Sequence, residues 1–136
     1  MTYIGAIKYC YNHYATFSGR APRSEYWWWT LYAVISLIAG AIIDGIFGTQ
    51  FVIRTGVVVW LPYGYVYTLV ALVNLLPGLS VLVRRLHDRD KSGWWFWLLL
   101  VPLVGGIVLL VWFCMKGTTG PNQYGDDPLA GAGTKA

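Results

Sequence analysis

Three long stretches without a charged residue constrain this chain more than any other feature. They run from Tyr26 to Ile43, from Thr55 to Val83 and from Ser92 to Met115, and hold 18, 29 and 24 residues. A helix crosses the hydrocarbon core of a bilayer with about 20 residues, so each stretch suffices for one crossing and the longest is too short for two. We therefore predict an all-α integral membrane protein with three transmembrane helices, at about 26–47, 57–83 and 93–115.

The composition agrees with a membrane protein. Of the 136 residues, 57% are hydrophobic and 12% are charged, whereas a soluble domain carries about a quarter charged residues. The formal charge is +4, but the cations occur in short blocks beside the apolar stretches. Such blocks favour contact with the anionic membrane surface over nucleic-acid binding.

The positions of the cations also predict an orientation. Three precede the first span and four lie between the second and third spans, whereas Arg54, Lys116 and Lys135 are left for the other side. By the positive-inside rule, the N-terminus and the 84–91 loop face the cytoplasm and the C-terminus faces the periplasm or the exterior. Four tryptophans are predicted to anchor the chain at the membrane interface: Trp27, Trp28, Trp94 and Trp95.

Apolar residues recur at steps of three and four near the N-terminus, between Tyr3 and Phe17. This spacing is typical of a short amphipathic helix that lies in the membrane interface, and we predict such a helix at 2–17. Ala39-Gly40-Ala41 resembles a signal-peptidase site. The region that precedes it contains Glu25 and a tryptophan triplet, which are not typical of a signal peptide. A single membrane domain is expected over 1–128, followed by a flexible tail at 129–136.

Three polar segments surround the predicted spans in a recognisable order. They are "FSGRAPRSEYWWW" (17–29), "RRLHDRDKSGWW" (84–95) and "GTTGPNQYGDDP" (117–128). Together they resemble the bacterial inner-membrane family catalogued as domain of unknown function 805. The resemblance covers nearly the whole chain and implies an integral inner-membrane protein of a few helices with no established activity. Arg89-Asp90 departs from the small residues or glycine expected at that place, which adds charge to the loop without changing its character.

The 84–95 segment is a poor match to three kinds of reactive site. His87 and Asp88 are adjacent in sequence, but no Ser or Cys nucleophile has a recognisable setting nearby. One His with two Asp beside four cations is a poor set of metal ligands. "DKSG" lacks the glycine frame of a phosphate-binding loop. We therefore predict no catalytic residue, metal or cofactor.

The same charges do match a surface that binds phosphate or carboxylate. Arginine stems can run along apolar surface while their guanidinium groups reach lipid phosphate or carboxylates. Glu25 is expected either to pair with Arg23, Arg84 or Arg85, or to lie in the first helical turn exposed to water. The candidate lipid-phosphate or ion-pair residues are Arg20, Arg23, Glu25, Arg84, Arg85, His87, Asp88 and Lys91.

These observations favour a non-enzymatic inner-membrane protein whose cytoplasmic arginine-rich face contacts anionic phospholipid or a membrane partner, either a second copy or another protein. The alternative is a small membrane enzyme acting on a lipid or isoprenoid phosphate. In that case Arg84, Arg85 and Lys91 would hold the phosphate, and His87 with Asp88 or Glu25 would move protons. A subunit of a transport assembly is a third hypothesis, which the scarcity of intramembrane charge disfavours for a single chain.

Overall fold

Helices make up most of the structure. The computed structural model describes residues 1–54 and 58–131, and it describes side chains outside 51–63. Residues 132–136, the end of the predicted flexible tail, lie outside the described part. In chain order the elements are α1 (Tyr3–Asn12), α2 (Arg23–Phe47), β1 (Gln50–Arg54), β2 (Val58–Gly64), α3 (Tyr65–Asp88), a 3₁₀ helix (Gly93–Leu100) and α4 (Val104–Cys114).

Two of these helices, α2 and α3, are long and apolar enough to cross a membrane. They have 25 and 24 residues, which at about 1.5 Å per residue exceeds a hydrocarbon core of about 30 Å. They pack closely at Gly40, where a Cβ atom would lie 3.1 Å from Tyr67 Cα. Asn74 Nδ2 donates a hydrogen bond to Ser36 Oγ across the pair at 3.0 Å. Two of the three predicted spans are thus confirmed as helices of membrane-spanning length.

A two-stranded hairpin, which we did not predict, joins α2 to α3. β1 and β2 pair antiparallel, with Val52 opposite Trp60. β-branched and aromatic residues favour a strand here, and Pro62 is unfavourable inside a helix. The second long helix therefore begins at Tyr65, later than the predicted start near 57, a position that itself lies outside the described residues.

The buried carboxylate of Asp44 joins the C-terminal end of α2 to the start of α3. Its Oδ1 accepts from Val66 N at 3.0 Å and its Oδ2 accepts from Tyr67 N at 2.8 Å. The first N–H groups of a helix have no partner inside the helix, and Gly64 at the N-cap of α3 has no side chain to supply one. Asp44 therefore acts as the cap of the next helix, a role that we did not predict.

Residues 93–114 form an apolar hairpin and not a third spanning helix. The 3₁₀ helix ends at Leu100 and α4 begins at Val104. Between them Leu103 has φ +62° and ψ −61°, and Val104 N donates to Pro102 O at 2.7 Å. This is the geometry of the rare classic γ-turn, which reverses the chain.

Both ends of the apolar hairpin lie beside the last turns of α3. At its start, a Cβ atom on Gly93 would lie 2.8 Å from Val83 Cγ1. At its end, Phe113 O accepts from Arg85 Nη2 at 3.1 Å. Arms of eight and eleven residues reach about 16 Å each, roughly half of the hydrocarbon core. The prediction of a third transmembrane helix at 93–115 is therefore wrong.

The hairpin brings the C-terminal segment back to the side of the molecule that carries the 84–91 loop. Thr118 N donates to Asp88 O at 2.8 Å, and Arg20 Nη1 donates to Gly120 O at 2.6 Å. The prediction that this segment and the 84–91 loop lie on opposite faces is therefore wrong. The mistake follows from the third span, because each added crossing moves the chain to the other side.

The N-terminal helix α1 is shorter than the predicted 2–17 and packs against both long helices. Ala6 and Cys10 are fully buried, whereas Ile4 on the predicted apolar face is exposed. Tyr11 Oη donates to Asn74 Oδ1 at 3.0 Å and lies 2.9 Å from Tyr32 Oη. These contacts attach α1 to the polar residues between α2 and α3.

Candidate functional site

Five charged side chains that are far apart in sequence meet at one end of the molecule, which we call the inner end. Arg20 precedes α2, Glu25 lies in its first turn, and the other three lie in the last turns of α3. Their exposed fractions range from 0% to 8%. We call this group the arginine cluster, and its members are Arg20, Glu25, Arg84, Arg85 and Asp88.

Glu25 and Arg84 form one ion pair of the cluster. Arg84 Nη1 lies 2.6 Å from Glu25 Oε1, and both side chains are 2% exposed. Cys10 Sγ donates to the same carboxylate oxygen at 3.8 Å, and the Arg84 guanidinium lies 5.3 Å from the centre of the Tyr9 ring. Glu25 was expected either to pair with an arginine or to be exposed to water. The structure has the first arrangement.

Asp88 holds the other two arginines. Its Oδ1 lies 3.0 Å from Arg20 Nη2, and its Oδ2 accepts from Arg85 Nη1. The cluster therefore contains three guanidinium groups and two carboxylates, so each arginine has an acidic partner and the formal net charge of the cluster is +1.

Backbone carbonyl groups satisfy much of the remaining hydrogen-bonding capacity. Arg20 donates to the carbonyls of Thr118 and Gly120. Arg85 donates to the carbonyls of Ala21, Phe113 and Met115. The arginines thereby tie the loop before α2, the end of α3, the end of the apolar hairpin and the C-terminal segment together.

His87 lies next to the cluster but is bound by other groups. Its Nδ1 is 3.1 Å from Gly19 O. Its ring stacks on Tyr124 with centroids 3.9 Å apart and planes 3° apart. Asn122 Nδ2 donates to the His87 carbonyl at 2.9 Å. Through these contacts His87 packs against the C-terminal segment and against the loop before α2.

The remaining predicted site residues lie around the cluster, at its edge. Arg23 is exposed, and its Nη1 donates to Cys114 O at 3.3 Å. Lys91 Nζ lies 5.5 Å from the centre of the Trp112 ring. The predicted anchors are also exposed, with Trp94 at 73% and the others between 37% and 46%: Trp27, Trp28 and Trp95.

Several residues that complete this end of the molecule were not predicted from the sequence. Cys10 contacts Glu25, and Arg89 donates to Lys116 O. Gly117 lies so close to Asp88 that a Cβ atom would be 2.0 Å from its Oδ2. The three polar segments were the available signal in the sequence. Segments 17–29 and 84–95 supply the arginines of the cluster, and 117–128 supplies carbonyl groups that accept from Arg20.

Two observations bear on the chemistry of the cluster. Among the described residues, no group of three or more His, Cys, Asp or Glu is placed to hold a metal ion. Burial, with a smaller effect from the charge of Glu25, raises the pKa of the Cys10 thiol from 9.0 to about 12. Cys10 is therefore neutral at physiological pH and is a poor nucleophile.

The chain matches known proteins along nearly its whole length. It is 43% identical to inner membrane protein YhaI of Escherichia coli K12 over 130 residues, which cover 96% of this chain and 97% of that protein. It is 37% identical to inner membrane protein YhaH of the same strain over 117 residues, covering 86% and 90%. No solved structure matches. The model of the family described as protein of unknown function DUF805 matches residues 14–126. This chain therefore belongs to the DUF805 family.

Proposed function

We propose that this chain is a non-enzymatic integral protein of the bacterial inner membrane whose inner end has two parts. The buried arginine cluster fastens the helix ends and the C-terminal segment together. The exposed cations around it bind anionic phospholipid at the cytoplasmic surface. The observation that carries the proposal is the burial of the cluster, since its three arginines are engaged with carboxylates and carbonyls, whereas Lys8, Arg23 and Lys116 are exposed.

The contacts of the cluster support a structural role for it. Acid–base and nucleophilic catalysis need a group that can reach the substrate. Glu25 and Asp88 are 1% and 3% exposed and are both paired with arginine. A buried carboxylate that compensates a buried cation cannot give up its charge without leaving the cation unpaired.

The distribution of cations supports a cytoplasmic inner end. Arg54 belongs to the β-hairpin at the opposite end, and Lys135 lies outside the described residues. The other eight Lys and Arg belong to the inner end, as the positive-inside rule favours for a cytoplasmic face. They are Lys8, Arg20, Arg23, Arg84, Arg85, Arg89, Lys91 and Lys116. Both ends of the membrane domain then face the cytoplasm.

Lipid retention and thermal unfolding of the purified chain test the two parts separately. Replacing exposed cations, as in a Lys8→Gln, Lys116→Gln variant, should lower retention of phosphatidylglycerol relative to phosphatidylcholine and leave the melting temperature unchanged. Each cation near an anionic surface contributes about 1 kcal/mol. Equal retention of both lipids by the original chain would contradict the proposal. Turnover of a phosphorylated lipid that is lost in His87→Ala would support the enzymatic alternative.

A further inference from the structure

A groove runs along α2 where this helix meets the end of α4. Its volume is about 560 Å³. Arg23 and Ser24 lie at its polar end, and Trp27, Trp28 and Leu31 follow along the same helix face. The spacing from Ser24 to Leu31 corresponds to about 10 Å along the helix axis.

A second, more polar cavity shares the Arg23 and Ser24 end of this groove. It has a volume of about 320 Å³, and Arg85 and Asp88 of the arginine cluster also line it. The two cavities thus meet at Arg23 and Ser24, with charged residues on one side and tryptophan and leucine on the other.

We propose that these joined cavities bind one anionic glycerophospholipid. Its phosphate lies against Arg23 and Ser24, and the upper part of one acyl chain lies along Trp27, Trp28 and Leu31. This site rests on the proposed function, because it requires the inner end of the molecule to lie at the headgroup level of the membrane.

The charges in the polar cavity favour an anion. Arg23 is exposed and uses Nη1 for Cys114 O, so its other guanidinium donors can reach a phosphate. Arg85 is fully buried, and its Nε has no hydrogen-bond partner in the part of the chain that the structure describes. Asp88, the acidic residue of this cavity, is already paired with two arginines.

The apolar side of the groove has the chemistry of a lipid contact. Trp27, Trp28 and Leu31 are 37%, 38% and 44% exposed, although they are large hydrophobic residues. Tryptophan is favoured at the headgroup level, where one part of its ring meets apolar chains and its N–H meets polar groups. A molecule with a phosphate and an acyl chain satisfies both ends, whereas free phosphate would leave the apolar part uncovered.

The test is native mass spectrometry of the full-length chain in detergent, titrated with palmitoyl-oleoyl phosphatidylglycerol or the matching phosphatidylcholine. We expect the first phosphatidylglycerol molecule to bind more tightly than further phosphatidylglycerol molecules do, and more tightly than phosphatidylcholine. Arg23→Gln should weaken that first binding event about fivefold, the effect of one cation. Leu31→Trp should weaken it by filling the groove. Two variants serve for comparison: Lys8→Gln, an exposed cation outside the groove that should weaken the first binding event less than Arg23→Gln does, and Ile42→Trp, an exposed residue of α2 outside the groove that should leave it unchanged.

The variants separate this site from the proposed function on which it rests. If Arg23→Gln and Lys8→Gln weaken phosphatidylglycerol binding equally, the surface charge acts diffusely, so the site is wrong and the proposed function stands. If the original chain binds both lipids alike, both proposals fail. Competition by inorganic phosphate that is as effective as a short-chain phosphatidylglycerol would overturn the assignment to a lipid.

Discussion

Glu25 and Arg84 each allow the other to remain charged in a buried place. Removing a carboxylate or a guanidinium group from water costs several kcal/mol, and their contact at 2.6 Å offsets that cost. Arg84 Nε and Nη2 are also buried, and neither has a hydrogen-bond partner in the described part of the chain. The guanidinium of Arg84 therefore depends strongly on its one carboxylate.

The Glu25→Gln variant should be strongly destabilised. It leaves the buried charge of Arg84 without a partner, for which a loss of about 3–5 kcal/mol is expected. Thermal unfolding in detergent, followed by circular dichroism, measures the effect. Asp90→Asn is the control, because Asp90 is exposed and its φ of +56° is one that asparagine tolerates. An unchanged melting temperature in Glu25→Gln would contradict the role of the pair, whereas adding Arg84→Met should restore part of the stability.

Cys10 should react much more slowly than Cys114 with a thiol reagent. Cys10 is fully buried with a raised pKa of about 12, whereas Cys114 is exposed. Because folding raises the pKa of Cys10, its contribution to stability is complete below about pH 9 and is lost as the pH rises toward 12. Treatment with N-ethylmaleimide at pH 8, followed by peptide mass spectrometry, measures the labelling. Equal rates at both cysteines in the folded chain would show that Cys10 is not buried.

At the scale of elements, the apolar hairpin depends on the absence of a side chain at Gly105. A Cβ atom there would lie 1.6 Å from the carbonyl oxygen of Leu98, which belongs to the other arm. The neighbouring Gly106 has no atom within 4 Å of the corresponding position. The two glycines are adjacent on α4, yet only one of them is required for the contact between the arms.

Gly105→Ala should therefore destabilise the chain and Gly106→Ala should not. Overpacking costs about 1–3 kcal/mol in a well-packed interior, whereas alanine in place of an exposed helical glycine contributes up to about 1 kcal/mol of helix propensity. The melting temperatures of the two variants in detergent measure the difference. Equal effects would mean that the arms do not pack as described, and a continuous third helix would become the better description.

Hydropathy predicts α2 and α3 because both are long apolar helices between charged segments. It cannot separate a third span from the apolar hairpin, since both fill 93–114 with apolar residues. The difference lies in the γ-turn at Leu103 and in the contact between Gly105 and Leu98. Pro102 and the Gly105-Gly106 pair were visible signals of a break, but transmembrane helices tolerate such residues as well.

The sequence indicated which charged residues belong to the site but not which groups they contact. The charged residues at the span ends indicated which side chains gather at the inner end. They did not indicate the carbonyl acceptors, such as those of Thr118 and Gly120, because every residue carries a carbonyl group and its position depends on the fold. The burial of Arg20 and Arg85 follows from those acceptors, which is why sequence reasoning left lipid and ion-pair contacts as alternatives.

On the scale of the whole molecule, two long helices and a hairpin that turns back place both ends of the membrane domain on one side. The C-terminal segment is held there by Arg20 and by the stacking of Tyr124 on His87. An even number of crossings agrees with the concentration of cations at the inner end.

Reporter fusions in bacterial cells test this topology. Green fluorescent protein fused to the C-terminus should fluoresce, and alkaline phosphatase fused there should be inactive, because both report a cytoplasmic position. The control is alkaline phosphatase fused after Gly48, directly beyond α2, which should be active in the periplasm. Strong phosphatase activity with a dark fluorescent fusion at the C-terminus would instead require a third complete crossing.

The apolar hairpin gives the protein unequal widths in the two leaflets. Near the inner end the 3₁₀ helix, α4 and α1 pack beside α2 and α3, whereas nearer the β-hairpin the described part of the chain has the two long helices without these neighbours. If the inner end faces the cytoplasm, as we propose, each copy displaces more lipid from the cytoplasmic leaflet than from the outer one. Such a wedge relieves packing stress where the membrane curves so that its cytoplasmic leaflet is stretched, and crowded copies would favour curvature in that direction.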